Sequence, residues 1–325
     1  MMRREFITLI GGAVAWPFAA RAQQGAMPVI GMLHSQTQAS EATRMPAIEQ
    51  GLREMGFVVG RDVAVEHRFV DGNNTRLPAL AAELVQRQVS VIFANTTPPA
   101  YAAKAATATI PIVFATGVDP VEVGLVATMN RPGANITGVT FLSNKLVAKR
   151  LELLCALAPG SSSVGMLAAQ RNPNTETDTR DALAAASALG RTMHVERVVP
   201  EDGIERALAA LVERRVGVLF VAPQADFRMW RQQLVLLAMR HGLPTSFPSS
   251  DHVTAGGLMS YGPDQMDSYR EAGAYIGRVL KGEKPATLPV LVATKFEFAI
   301  NLNTAKALGL TIPPSMLAIT TNVIE

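Results

Sequence analysis

One cysteine stands in 325 residues, so no internal disulfide can staple this chain. Cys155 lies in the apolar run LELLCALAP, which suits a small buried hydrophobe better than a nucleophile. Aromatic side chains are scarce at 6%, leaving few rings to stack on a ligand. Charge of one sign is missing too: 30 basic residues face 27 acidic ones, no footprint for nucleic acid or an anionic membrane. Motifs of catalysis are equally thin. No GxxxxGKS/T phosphate loop follows an apolar run, HExxH is absent, and His34, His67, His194, His241 and His252 are scattered. PGSSSVG (159–165) lacks the GxSxG spacing of a nucleophile elbow. The residues nominate no catalytic group, no metal set and no cofactor. A hydrolase assembled from residues distant in sequence stays an alternative.

What is there begins with MMRREFITLIGGAVAWPFAARA (1–22). Arg3 and Arg4 precede a short apolar stretch holding Gly11, Gly12 and Pro17, which weaken a helix interior. The stretch is shorter than the roughly 20 apolar residues a membrane span needs. A positive start, an apolar middle and the small-x-small end Ala20-Arg21-Ala22 predict an export signal cut after Ala22, hence a periplasmic protein. Arg3-Arg4-Glu5-Phe6-Ile7 resembles the twin-arginine export motif, with the Sec route as the alternative. Removing the leader leaves 27 basic against 26 acidic residues. No lipobox cysteine stands at the cut, so the processed protein is expected to be freely soluble.

From Met27 onward, strand-like and helix-like segments alternate. MPVIGML (27–33), VSVIFAN (89–95), IPIVFAT (110–116) and ITGVTFL (136–142) are short apolar runs of the kind covered on both faces, and VAVEHRFV (63–70) alternates. Helical spacing occupies 40–55, 75–86 and 100–109, with a short helix predicted over 120–129. A second round follows: helix 144–157, strand 163–169, helix 175–189, strand 193–199, helix 203–215, strand 216–222 and helix 226–240. GLMSYG (257–262) reads as a strand and 264–281 as a helix, before a less regular tail. The rhythm predicts an α/β fold of two Rossmann-like, doubly wound lobes.

In open parallel sheets, ligands collect where strand carboxyl ends feed helix N-termini. The residues just after each strand are therefore the candidates: Ser35, Thr96, Thr97, Asp119, Asn172, Asp226 and Tyr261. Small hydroxyls, amides and free N–H groups suit a carboxylate. Asp119 and Asp226 are placed to take an ammonium group, so a small zwitterion fits. Each residue also has a structural alternative as a helix cap or turn, and the shared strand-end placement is what unites them.

Four blocks then carry a resemblance: IFANTTPPAYAAKAATATIPIVFATGVDPVEVGLV (92–126), NRPGANITGVTF (130–141), LLCALAPGSSSVGML (153–167) and AINLNTAKALGLTIPPSML (299–317). The chain resembles the bacterial ABC transporter substrate-binding proteins of the tryptophan/tyrosine type. The resemblance implies a type I periplasmic-binding fold with a ligand cleft between lobes and hinge crossings near 140–144, 250–257 and 283–290. The first lobe would comprise 27–141 with 257–284, and the second 142–256 with 285–325. Ser35, Thr96, Thr97 and Asp119 would line one wall, with Asn172, Asp226 and Tyr261 closing from the other side or the hinge. It further implies a monomer that hands a small ligand, an aromatic amino acid or related carboxylate, to an inner-membrane ABC permease, with no nucleic acid and no cofactor. A sensing module for a membrane signalling protein is the alternative partner reading. One departure stands out: Pro98 and Pro99 remove two N–H donors from the helix start after Thr97.

Overall fold

The computed structural model describes residues 27–199 and 203–325; the export leader expected over 1–22 lies outside them. The first sheet comprises β1 (Val29–His34), β2 (Ala64–Phe69), β3 (Val91–Asn95), β4 (Ile112–Thr116), β5 (Ile136–Thr140) and β11 (Leu291–Val292). Its order is β11-β5-β4-β3-β1-β2, every pair parallel. The second comprises β6 (Ser163–Ala169), β7 (Thr192–Val198), β8 (Val218–Val221), β9 (Thr245–Phe247), β10 (Met259–Pro263), β12 (Phe296–Asn301) and β13 (Asn322–Ile324). Its order is β13-β12-β10-β9-β8-β6-β7, and β10 with β12 is its antiparallel pair. The expected two-lobed α/β fold is what the chain forms.

Central strands β3, β4 and β5 are buried at every residue, as continuous apolar runs require when helices cover both faces. On one face of the first sheet, Ile48 and Leu52 pack with Tyr269, Ala272 and Ile276. On the other, Leu77, Leu84 and Ala100 pack with Ile92 and Phe114. The second sheet has its own core, in which Leu151, Leu154, Leu208 and Leu234 surround Phe220 and Met166.

Two glycines set the closest helix crossing. A Cβ on Gly51 would stand 1.9 Å from the carbonyl oxygen of Arg270, and one on Gly273 would stand 2.1 Å from that of Ile48. The helices Met45–Glu54 and Gln265–Leu280 thus touch backbone to backbone. That contact fixes the helix Gln265–Leu280 on the first lobe.

The lobe division needs correcting in detail. Strand β10 falls within 257–284 but pairs with β9 and β12, so it belongs to the second sheet; only the helix after it returns to the first lobe. Strand β11, within 285–325, pairs with β5 and belongs to the first. The chain therefore crosses between lobes at 141–146, at Asp264 and at 293–295, rather than near 250–257 and 283–290. Two backbone bonds stitch the crossings together: Ala293 N donates to Thr140 O at 2.9 Å, and Asp264 N to Lys295 O at 2.9 Å. The helix expected over 120–129 is instead a series of turns. Gly124 adopts φ +67° there, and Leu125 and Val126 both donate to Pro120 O, which closes a turn rather than a helix.

Candidate functional site

The carboxyl ends of both sheets face one cleft between the lobes. It encloses about 620 Å³ of atom-free space with its mouth included, of which about 60 Å³ admits the centre of a water-sized sphere. From the first lobe come Thr96 and Thr97 after β3, Gly117 after β4, and Phe141 and Ser143 after β5. The second lobe supplies Asn172 and Asn174 after β6, Gln224 and Arg228 after β8, and Ser249 and His252 after β9. Gln265 and Tyr269, on the helix that crosses back, complete the lining.

Thr96 is held at φ +89°, ψ 170°, a region that is essentially glycine-only and costs a β-branched residue on the order of 1–3 kcal/mol. Its hydroxyl is 3.0 Å from that of Ser35, and the Thr97 hydroxyl is 2.7 Å from that of Thr116. Strain in the backbone and a locked pair of hydroxyls fix the edge of the cleft. Across it, Asn172 accepts from Asn174 N at 2.9 Å and donates to Asp226 Oδ2 at 2.5 Å. Gln224 accepts from Ala169 N at 2.6 Å and donates to Thr175 Oγ1 and Asp178 Oδ2 at 3.1 Å each. The Asn174 amide reaches Thr97 Oγ1 at 3.5 Å, one direct link between the walls.

Stronger links lie behind it. Arg228 Nη1 donates to Glu41 Oε1 at 3.0 Å, and Arg44 Nη2 to Asp251 Oδ2 at 2.8 Å. Glu41 and Arg44 follow β1 in the first lobe; Arg228 and Asp251 belong to the second. Glu41 is 1% exposed, Arg44 0% and Arg228 8%, while the Asp251 side chain keeps 20% of its surface, so the Glu41–Arg228 pair is buried where the lobes meet and the Arg44–Asp251 pair is open on its acid side. Arg44 also donates to Gln265 Oε1 at 2.9 Å and lies over the Tyr269 ring, 5.6 Å from its centroid. Burial works to raise the Glu41 carboxyl, yet the guanidiniums of Arg228 and Arg44 outweigh it and hold it below the usual carboxylate range.

Glu41 is anchored from its own lobe as well. Asn95 donates to Glu41 Oε2 at 2.7 Å and accepts from the Tyr269 hydroxyl at 2.9 Å. The fully buried His34 stands beside Asn95, with its Nε2 3.2 Å from His67 Nδ1. Burial pushes the His34 pKa down to about 4, so the ring is neutral at physiological pH.

Of the residues expected at the site, Thr96, Thr97 and Asn172 line the cleft, and Ser35 and Asp226 stand directly behind as hydrogen-bond partners of Thr96 and Asn172. Asp226 faces no ammonium site: its carboxylate accepts from Asn172, and burial raises its pKa. Two expectations are corrected. Asp119 is outside the lining, its carboxylate accepting from Val121 N at 2.9 Å and Glu122 N at 3.3 Å. Tyr261 is also outside it, its ring packed against Phe296 and Phe298 with centroids 6.4 and 5.9 Å away. Sequence reasoning missed Arg228, Glu41, Arg44, Asp251 and Tyr269. Arg228 was legible in principle, since it follows β8 closely, but the segment reads as the start of a helix.

The sequence profile of the ABC transporter substrate binding protein family matches residues 36–324. No curated protein matches the chain. Among solved structures, a conserved domain protein from Vibrio cholerae is 24% identical over 92% of this chain and 100% of its own, with a TM-score of 0.85. An ABC domain in complex with L-Trp from Streptococcus pneumoniae is 28% identical over 91% of this chain and 100% of its own, with a TM-score of 0.81. A 5-methylthioribose transporter solute binding protein from Thermotoga lettingae, in complex with 5-methylthioribose, shares the fold at 15% identity and a TM-score of 0.60, covering 90% of this chain and 97% of its own. The chain belongs to the ABC transporter substrate-binding protein family.

Proposed function

We propose that the protein is the periplasmic, monomeric receptor of an ABC importer, and that it captures an aromatic amino acid or related carboxylate in the interlobe cleft for an inner-membrane permease. The observation that carries this reading is the cleft itself: strand ends of both lobes converge there, and ion pairs from opposite lobes meet behind it. A ligand touching both walls favours their closure, because only differential affinity for the closed state shifts a hinge equilibrium. Phe141 and Tyr269, both in the lining, offer rings to an apolar ligand body. The similarity to the L-Trp complex supports an aromatic ligand. Among the described residues no helix is long and apolar enough to cross a membrane.

The test is a thermal-shift screen of protein unfolded and refolded to remove co-purified ligand, against amino acids, small organic acids and sugars. A ligand at about 100 times its Kd stabilises by roughly 2.7 kcal/mol, enough to raise Tm by several degrees. A response that Arg228→Met abolishes supports the cleft as the site. Silence from the whole panel, together with unchanged uptake of every panel compound in a strain lacking the gene, sinks the receptor reading.

A further inference from the structure

The polarity of the cleft is one-sided. Among the described residues, Arg228 is the one charged side chain in its lining. Every nearby carboxylate is engaged elsewhere. Glu41 holds Arg228 with one oxygen and Asn95 with the other. Asp251 is bonded to Arg44, and Asp226 to Asn172. Three of the four amide oxygens of the lining are spent as well: that of Asn172 on Asn174 N, that of Gln224 on Ala169 N, and that of Gln265 on Arg44, which leaves that of Asn174. An ammonium group needs acceptors for three N–H donors, and burying it without them is costly.

Donors, by contrast, are in supply. A guanidinium presents five N–H groups in a planar fork matched to a carboxylate, and Glu41 accepts from Nη1 of Arg228. Glu41 fixes the guanidinium in place before any ligand arrives, which cuts the ordering cost of a bidentate contact. Ser143 adds a hydroxyl at the same cleft, whereas that of Ser249 is turned on His252 Nδ1 at 3.1 Å. Their neighbours Pro98, Pro223 and Pro248 expose ring carbons and no N–H, a surface for hydrocarbon.

We infer that the cleft selects small monocarboxylic acids lacking an α-ammonium group, seating the carboxylate on Arg228. This inference rests on the receptor reading and narrows its ligand from a zwitterion to a simple organic anion. Isothermal titration of the refolded full-length protein with matched pairs tests it: 3-phenylpropionate against L-phenylalanine, indole-3-propionate against L-tryptophan, and 4-methylpentanoate against L-leucine. In the pair that binds tightest, the acid without nitrogen is expected to bind at least about tenfold tighter than its amino acid. Arg228→Lys keeps the charge but loses the fork, and should weaken that acid by about tenfold or more. An amino acid that binds tighter than its deamino partner overturns the inference while leaving the receptor reading intact. So does a response to sugars with none to any acid. If Arg228→Lys fails to fold, the paired comparison on the unmodified protein still decides.

Discussion

Glu41→Gln separates closure of the lobes from folding of each. The substitution keeps the shape of the side chain and an oxygen for the Asn95 amide, but it leaves Arg228 buried without its counter-charge. Removing one partner of a buried ion pair costs about 3–5 kcal/mol, and both side chains qualify at 7% and 1% exposed. Arg228 and Glu41 belong to different lobes, so in an open form water solvates Arg228 and the penalty vanishes. The cost therefore falls on closure. Taking about 3 kcal/mol, the closing equilibrium drops by roughly two powers of ten, since about 1.4 kcal/mol is a factor of ten. A ligand that requires the closed form loses affinity by up to the same factor. Titration calorimetry reads the affinity, and small-angle scattering at saturating ligand reads the closure. The reasoning is refuted if Kd stays within about threefold of the unmodified protein while the ligand-induced fall in radius of gyration persists. A large drop in Tm with closure intact would instead assign the pair to the fold.

Other perturbations follow from the same geometry. Thr96→Gly relieves a backbone strain of about 1–3 kcal/mol at the loss of the hydroxyl contact to Ser35; thermal unfolding should show a protein at least as stable, with ligand affinity reduced. Gly273→Ala drives a methyl group against the Ile48 carbonyl, which no rotamer can relieve, and should lower stability in urea by about 1–3 kcal/mol; an unchanged midpoint would contradict the close crossing. Acidification should destabilise the protein. His34 and His252 are buried with pKa values lowered from 6.5 to about 4 and about 3, so below pH 6.5 the unfolded chain takes up protons that the folded one refuses. Their stabilisation is complete above pH 6.5 and is lost as pH falls toward 4. Asp178, pushed by burial from 3.8 up to about 7, opposes this with one proton held by the folded state over the same window. His67, lowered by burial, adds to the loss and Asp226, raised by burial, offsets it, so two histidines against Asp178 set the scale at about 1.4 kcal/mol per pH unit, to be read from urea midpoints at pH 6.5 and 4.5. A rise in stability on acidification would be the wrong sign.

Much of the fold was legible because burial writes itself into local pattern. A run such as VSVIFAN is too short for a buried helix and suits a strand covered on both faces, and its last five residues form β3. What local pattern cannot show is which sheet a strand joins. GLMSYG is equally good as a strand of either lobe; pairing with β9 and β12 decides, and those partners lie outside any short window. At the site, strand-end logic found Thr96, Thr97 and Asn172 because it depends on topology alone. It over-reached at Asp119, where the acid before a proline turns one oxygen, Oδ1, on the next two N–H groups. It missed Glu41 and Arg44 because charges three apart in an amphipathic stretch look like a solvated face. Their partners, Arg228 and Asp251, lie about two hundred positions along the chain.

The arrangement of those four charges bears on how the receptor would work. The two acids compensate the two guanidiniums they bind, and the third guanidinium of the group, Arg231 at 3.9 Å from Asp251, is 30% exposed and screened by solvent. Attraction of a carboxylate must then come from directed donors at short range rather than from bulk charge, and donors act only if they are held in place. That is what the second layer supplies: Asn95 and Tyr269 orient Glu41, and Glu41 orients Arg228. Buried ion pairs of this kind add little net stability over apolar packing, because desolvation offsets their attraction. Their use here is positional. The helix Gln265–Leu280 brings Tyr269 to the cleft only because Gly51 and Gly273 let it lie against the first lobe. Helix crossing, buried acid and cleft arginine thus form one mechanical series. A defect in the crossing should therefore show itself at the ligand: Gly273→Ala should lose affinity as well as stability, whereas an equally destabilising substitution in the second-lobe core, such as Leu208→Ala, should lose stability alone.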